Sequence, residues 1–355
     1  MKKFKKLLNE IFIDGLSGMA TGLFATLIIG TIIQQIGGFL PGTFGEMIYM
    51  IGKIAASVTG VGIGCGVAVR FKESPLVIMS AATCGMMGAF ASKILAGTVL
   101  VDGNIVYAGP GEPLGAFVAA LAGIYIGRLV SGKTKVDIII TPLLSILTGS
   151  AVGLILGPPI SGFMAFLGEL INLGTQQQPF LMGIFVSVIM GIILTLPISS
   201  AALGIILNLS GLAAGAATVG CCANMVGFAV ASYRENKMNG LLAQGLGTSM
   251  LQIGNIMKKP VIWLPAIITS AILGPVATLV FNMTNNATGS GMGTAGLVGQ
   301  ITTYQTMVGA GESAGMVFFK IVLLHFILPA FLSLGISEFM RKKGWILDGD
   351  MKLSV

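Results

Sequence analysis

The sequence predicts an all-α, polytopic membrane protein with about eight to ten transmembrane helices, some of them broken or re-entrant, and with both termini cytoplasmic. Three observations predict it. Of 355 residues, 54% are hydrophobic and 9% are charged, whereas a soluble domain carries about 25% charged residues. The apolar runs are long and unbroken, without the short alternating segments of a membrane barrel, and in hydrocarbon only helices or closed barrels satisfy every backbone group. Finally, sixteen of the 20 Lys and Arg gather in six short clusters beside those runs. They are Lys2/Lys3/Lys5/Lys6, Arg70/Lys72, Arg128/Lys133/Lys135, Arg234/Lys237, Lys258/Lys259 and Arg341/Lys342/Lys343. That is a positive-inside pattern, so the net charge of +7 needs no nucleic acid to explain it.

Taken in order, a basic amphipathic start (1–14) is expected on the inner surface, followed by a first span from Gly15 to Ile36. A second span runs from Met47 to Val69 and a third from Pro75 to near Leu100. The loop Val101–Glu112 has no Lys or Arg and is rich in turn residues, as an outside loop should be. A fourth span covers Leu114–Val130, and a fifth begins near Ile138 and ends at Pro158–Pro159. These five regular spans fill 15–157 of one integral-membrane domain, 1–355. Residues 160–178 read as an amphipathic or re-entrant segment, and Pro179–Tyr233 holds either one span with a re-entrant hairpin or three spans. After a polar stretch at 234–259, spans follow at Val261–Phe281 and Ala314–Met340. Between them lies Asn282–Gly299, too Gly-rich and polar to face lipid. The Gly- and Pro-broken region 160–340 is expected to bind the solute, because irregular backbone at membrane depth is tolerated only where it is buried or lines a cavity.

Glycine is abundant, at 52 residues. Spaced pairs at Gly18/Gly22, Gly60/Gly64, Gly62/Gly66 and Gly211/Gly215 predict close helix contacts or broken helices. Cys65, Cys84, Cys221 and Cys222 sit in apolar runs without CxxC spacing, beside a single His in the chain. They read as packing residues, and neither a metal nor a cofactor is expected.

Candidate site residues are ionisable or polar groups at membrane depth. Lys53 and Lys93 lie near span ends and can snorkel to an interface. Glu169, with Asn172 and Gln176 to Gln178, is either a ligand for a polyhydroxylated solute or a wet outer loop. Glu312, among glycines, is either a solute ligand or a structural partner of Lys320 eight residues on. His325 is either a packing residue or a ligand, at a kink expected from Pro329 four residues later. Uncharged donors and acceptors fill two further stretches. The first holds Thr195, Ser199, Ser200, Asn208, Ser210 and Asn224; the second holds Gln244, Thr248, Ser249, Gln252 and Asn255. Such side chains suit a neutral hydroxyl-rich solute, or serve as interhelical glue.

Several motifs, TQQQPFLMG, TLPISSAALGI, GAATVGCCANMVGFAVASYREN, AQGLGTSMLQIGNI, KKPVIWLPA, AILGPVATLVF and GSGMGTAGLVGQ, carry a resemblance. The chain resembles the membrane (IIC) component of bacterial phosphotransferase-system permeases, and more narrowly the PfoR-like branch. The resemblance covers most of the chain and is densest over 175–300. It implies a bacterial inner-membrane carrier for a small hydroxylated solute, a sugar, working with separate IIB and IIA proteins and commonly as a homodimer. It also implies a glutamate and a histidine that hold sugar hydroxyls. Glu312, Gln252, Asn255, Asn224, Gln244, Thr248, Ser249, Glu169, Gln300 and His325 are the residues expected to bind the solute. No cysteine lies in a phosphate-accepting loop and His325 is embedded, so at most this chain is the sugar-binding subunit of a phosphotransferase. A membrane sensor that binds a ligand without moving it, and an ion-coupled secondary transporter, are the alternatives.

Overall fold

The computed structural model describes residues 2–353 apart from Asp102, Ala108, Gln176 and Gln177. Nearly every apolar run has become helix, and the chain divides into two units, residues 1–164 and 165–355.

In the first unit, helix α1 (Lys6–Phe39) is long and apolar enough to span. The basic start does not lie apart as a surface helix. Helix begins at Lys2 and runs into the span through a wide π-turn at Glu10–Gly15, because no proline or left-handed turn intervenes. Next come α2 (Gly42–Ser57) and α3 (Thr59–Arg70), bent by 52° where a single straight span was expected. Helix α4 (Pro75–Ala89) starts on its proline and is shorter than the run to Leu100 suggested. A short helix (Ala91–Leu95) and a small antiparallel hairpin, β1 (Leu100–Val101) and β2 (Asn104–Ile105), take up the remainder. Helix α5 (Pro113–Val130) is capped by the Glu112 side chain, which accepts from Leu114 N–H at 3.4 Å.

Helix α6 (Asp137–Thr175) corrects the sequence reading most. Pro158–Pro159 does not end it, and 160–175 continues the helix instead of turning back. A proline removes only one ladder bond, so neighbouring contacts can carry the helix past it. Here Ser92 Oγ reaches the Gly157 carbonyl (3.2 Å) before the pair and Ser161 Oγ (2.5 Å) after it.

Close helix approach in this unit runs along the predicted glycines. A Cβ on Gly22 or Gly18 would strike the backbone of Gly62 or Gly66, which joins α1 to α3. Gly60 and Gly64 do the same against Gly85 and Ala81 of α4. With no hydrophobic drive between helices in lipid, such backbone contact is the main source of cohesion.

The second unit is built around α8 (Gly211–Ala231), whose apolar window is 89% buried. An apolar helix that buried is an internal pillar, packed on every side by protein. Against it lie α7 (Pro179–Thr195), α9 (Pro260–Val280) and α11 (Ala314–Lys342). Gly220 admits the Ser187 backbone of α7, and Gly183 meets Gly274 of α9. Of the Gly211/Gly215 pair only Gly215 packs closely, on the Met283 carbonyl; Gly211 instead supplies a left-handed turn at φ +58°. The polar stretch 282–299 folds inward, with Asn285, Ser290 and Thr294 fully or almost fully buried. Asn285 Nδ2 donates to Thr218 Oγ1 (2.8 Å) and Gly299 O (3.2 Å), so the irregular backbone is satisfied by protein.

Among the described residues six helices are long and apolar enough to span, or seven if the bent α2–α3 pair counts as one span. That is fewer than the eight to ten expected. The apolar helices α4 and α7 are too short to be added by length.

Candidate functional site

Among the described residues of the second unit, three groups of uncharged polar side chains contain most of the expected site residues, and their hydrogen bonds separate them. The first lies where α7 breaks after Thr195 at Leu196–Pro197. Asn224 of α8 accepts at Oδ1 from Trp263 Nε1 (2.9 Å) and Thr195 Oγ1 (3.3 Å). Its Nδ2 donates to Gly220 O and Ser270 Oγ, both at 3.1 Å. Thr195 Oγ1 also meets Ser249 Oγ at 2.7 Å, and Ser187 donates to Ser270 O at 2.7 Å. Every valence of Asn224 is filled from within the protein, as in a structural network. Trp263, Ser270 and Ser187 belong to it, although single polar residues in apolar runs gave no sign of that.

The second group joins Gln244, Gln252 and Asn255 in a chain. Gln244 Nε2 donates to Ser232 Oγ and Gly240 O (both 2.9 Å), and its Oε1 accepts from Gln252 Nε2 (2.9 Å). Asn255 Nδ2 donates to Gln252 Oε1 at 2.8 Å. Thr248 caps the next turn by accepting from Met250 N–H at 3.1 Å. The chain ends on backbone carbonyls of the last residues: Gln252 Nε2 donates to Met351 O and Asn255 Nδ2 to Lys352 O, both at 2.9 Å. Beside it Lys259 Nζ pairs with Asp350 Oδ2 at 2.6 Å.

Burial acts to raise the Asp350 carboxyl, but Lys259 and the Leu347 N–H outweigh it and hold the group below its ordinary value. A depressed carboxylate contributes stability that is complete above the unfolded pKa, about 3.9, and is lost as pH falls through the folded value. Asp350→Asn should therefore melt below the wild type at about pH 6, with the gap narrowing as pH falls below about 3.9. Thermal unfolding in detergent across that range checks this; a gap of constant size would contradict it.

The third group is different. Helix α10 (Val298–Gly309) is entered through left-handed residues, Gly296 at φ +53° and Leu297 at φ +60°. It carries Gln300 and, one turn on, Thr303. Beside Gln300, His325 sits in a π-turn at Val322–Ile327 within α11. The kink expected from Pro329 is thus a widened turn, a form frequent at functional sites. Gln300 Nε2 lies 3.0 Å from His325 Nδ1 and 3.3 Å from Cys222 Sγ. His325 and Thr303 are fully buried and Gln300 is 7% exposed. Among the described residues, Gln300 Oε1, Thr303 Oγ1 and His325 Nε2 are buried without a partner. If Nδ1 accepts from the amide, the neutral ring carries its proton on Nε2. Gln300, Thr303 and His325 then carry one unmet carbonyl acceptor, one hydroxyl that can donate or accept and one unmet N–H donor. Leaving a buried polar atom unmet costs about 1–3 kcal/mol, so each of the three atoms would gain from a partner. Thr303 was not among the expected residues, although its place three residues after Gln300 on a helix was a readable signal.

The charged candidates stand elsewhere. Glu312 lies in the turn before α11 and pairs with Lys320 at 2.6 Å, so the expected pair forms with Glu312 outside the helix. Glu169 is exposed on α6. Gln176 and Gln177, read together with it, lie outside the described residues, as does the side chain of Asn172. Lys53 is exposed, and Lys93 is exposed over the Phe90 ring at 5.5 Å.

No curated relative matches the sequence. A family model described as "Phosphotransferase system, EIIC" matches residues 13–353, nearly the whole chain, including all three polar groups. The chain therefore belongs to the phosphotransferase-system EIIC family, and is a multi-pass permease component of the bacterial inner membrane.

Proposed function

We propose that the chain carries a sugar across the inner membrane and presents it to a separate phosphorylated IIB protein, with both termini on the cytoplasmic side. The observation that carries the reading is the buried trio Gln300, Thr303 and His325, whose unmet donor, acceptor and hydroxyl match a neutral polyhydroxylated solute. Asn224, Thr195 and Ser249 brace the broken end of α7 beside the central helix. Gln252, Asn255, Gln244 and Thr248 shape the loop that follows. Membership of the EIIC family supports the coupling to a IIB partner. Of the four cysteines, Cys84, Cys221 and Cys222 are buried and Cys65 half-buried, and His325 is sealed, so the phosphoryl group belongs on the partner.

The test is uptake in proteoliposomes across a sugar panel, with and without phosphorylated IIB. One sugar should accumulate as its phosphate, and only with IIB present. Uptake that ignores IIB and collapses with a protonophore would instead mark an ion-coupled transporter.

A further inference from the structure

Residues 345–353 occupy a built seat in the second unit. Met351 is fully buried among Phe228, Ile256, Ile262, Met340 and Ile346. Four side chain-to-backbone bonds hold the strand around it. Met351 O accepts from Gln252 Nε2 (2.9 Å) and Asn236 Nδ2 (2.8 Å), and Lys352 O accepts from Asn255 Nδ2 (2.9 Å). Leu353 N–H donates to Asn236 Oδ1 at 2.8 Å, so one amide reads both faces of the peptide. The Lys259–Asp350 pair closes the side. A stretch with so little regular structure of its own is thus fixed by side chains of residues 236–259.

One element of that seat faces two ways. The 3₁₀ turn Ser249–Gln252 is a single turn of four residues. At its far end Gln252 holds the Met351 carbonyl, and at its near end Ser249 holds Thr195, the last residue of α7. Beyond Thr195 the chain is unwound through Leu196–Ser199, and Ile198 N–H bonds only to Leu196 O at 2.7 Å. The break keeps Leu196 N–H on Ile192 O and Ser199 O on Leu203 N–H, and the turn adds a hold on it from outside through Ser249.

We propose that Trp345–Leu353 is a latch on this turn. Seated, the segment holds Gln252, which fixes the turn, which keeps Ser249 against Thr195 and the break in its present arrangement. Unseated, the turn keeps its bonds to Gln244, Asn255 and Thr248 but loses this anchor, and the 195–199 break loosens with it. The device couples the position of 345–353 to a break in a core helix, a form of control that does not depend on which solute is carried.

Hydrogen exchange on the full chain in detergent, without solute, tests this apart from the transport reading. Asn236→Ala removes two of the backbone bonds and Lys259→Ala removes the ion pair; neither touches Ser249, Thr195 or Gln252. Each should raise exchange of the amides in 248–252 and in 195–199 by about tenfold or more, which corresponds to about 1.4 kcal/mol of lost protection. Unchanged exchange at 195–199 in both variants overturns the proposal, whether or not 345–353 itself loosens. Faster exchange spread evenly over α8 and α9 also overturns it, because that reports general destabilisation.

Discussion

Replacing Arg341 by alanine is expected to cost about 3–5 kcal/mol of stability, the range for breaking a buried ion pair on one side. Arg341 Nη2 meets Glu235 Oε1 at 2.7 Å, with the two side chains only 6% and 5% exposed. The same nitrogen donates to Ala231 O at 3.1 Å, at the end of the central helix. Removing the guanidinium strands a buried carboxylate, one of whose oxygens already has no partner. The neighbouring pair Arg234–Glu338 gives the contrast, being 59% and 30% exposed. Breaking an exposed pair costs about 0–1 kcal/mol, because water replaces the lost partner. The double variant Glu235→Leu/Arg341→Met should recover most of the loss, since no charge is then left buried. Unfolding of the single and double variants in detergent decides the matter. A double variant as unstable as Arg341→Ala would show that the loss comes from packing.

Arg341 also shows what sequence reading reaches and where it stops. The cluster Arg341/Lys342/Lys343 was legible as the charged end of a span, and α11 does end at Lys342. Nothing in a run of three cations says that one of them points inward, because its partner Glu235 lies 106 residues away. The apolar spans, the starts on Pro75 and Pro179 and the glycine seams were legible because lipid forces long apolar helices and backbone contact. The passage of α6 through Pro158–Pro159 was not, since it depends on Ser92 of another helix. At the site, residue type singled out Gln300 and His325 with eight others. Only three-dimensional accounting divides these, because a filled amide such as Asn224 and an unfilled one such as Gln300 look alike in sequence.

That accounting leads to the sharpest functional expectation. Thr303→Val keeps the side-chain shape and deletes a buried hydroxyl that has no partner. If the hydroxyl only packs, the substitution removes a desolvation cost of about 1–3 kcal/mol, so stability should rise and solute binding should stay as it was. If the hydroxyl meets the solute, stability still holds or rises, but affinity falls by about tenfold for each 1.4 kcal/mol of hydrogen bonding lost. Gln300→Leu goes further. It deletes the unmet Oε1 and also strips His325 Nδ1 of its donor, so the ring loses its fixed tautomer. Its effect on stability should be near zero, one unmet atom being exchanged for another, while binding should fall about 100-fold, the loss of two hydrogen bonds of that size. Melting temperature and sugar binding measured on the same detergent-solubilised samples separate the two cases. Binding lost with the fold intact in both variants supports the site; wild-type affinity in both would remove the trio and return the search to Glu312.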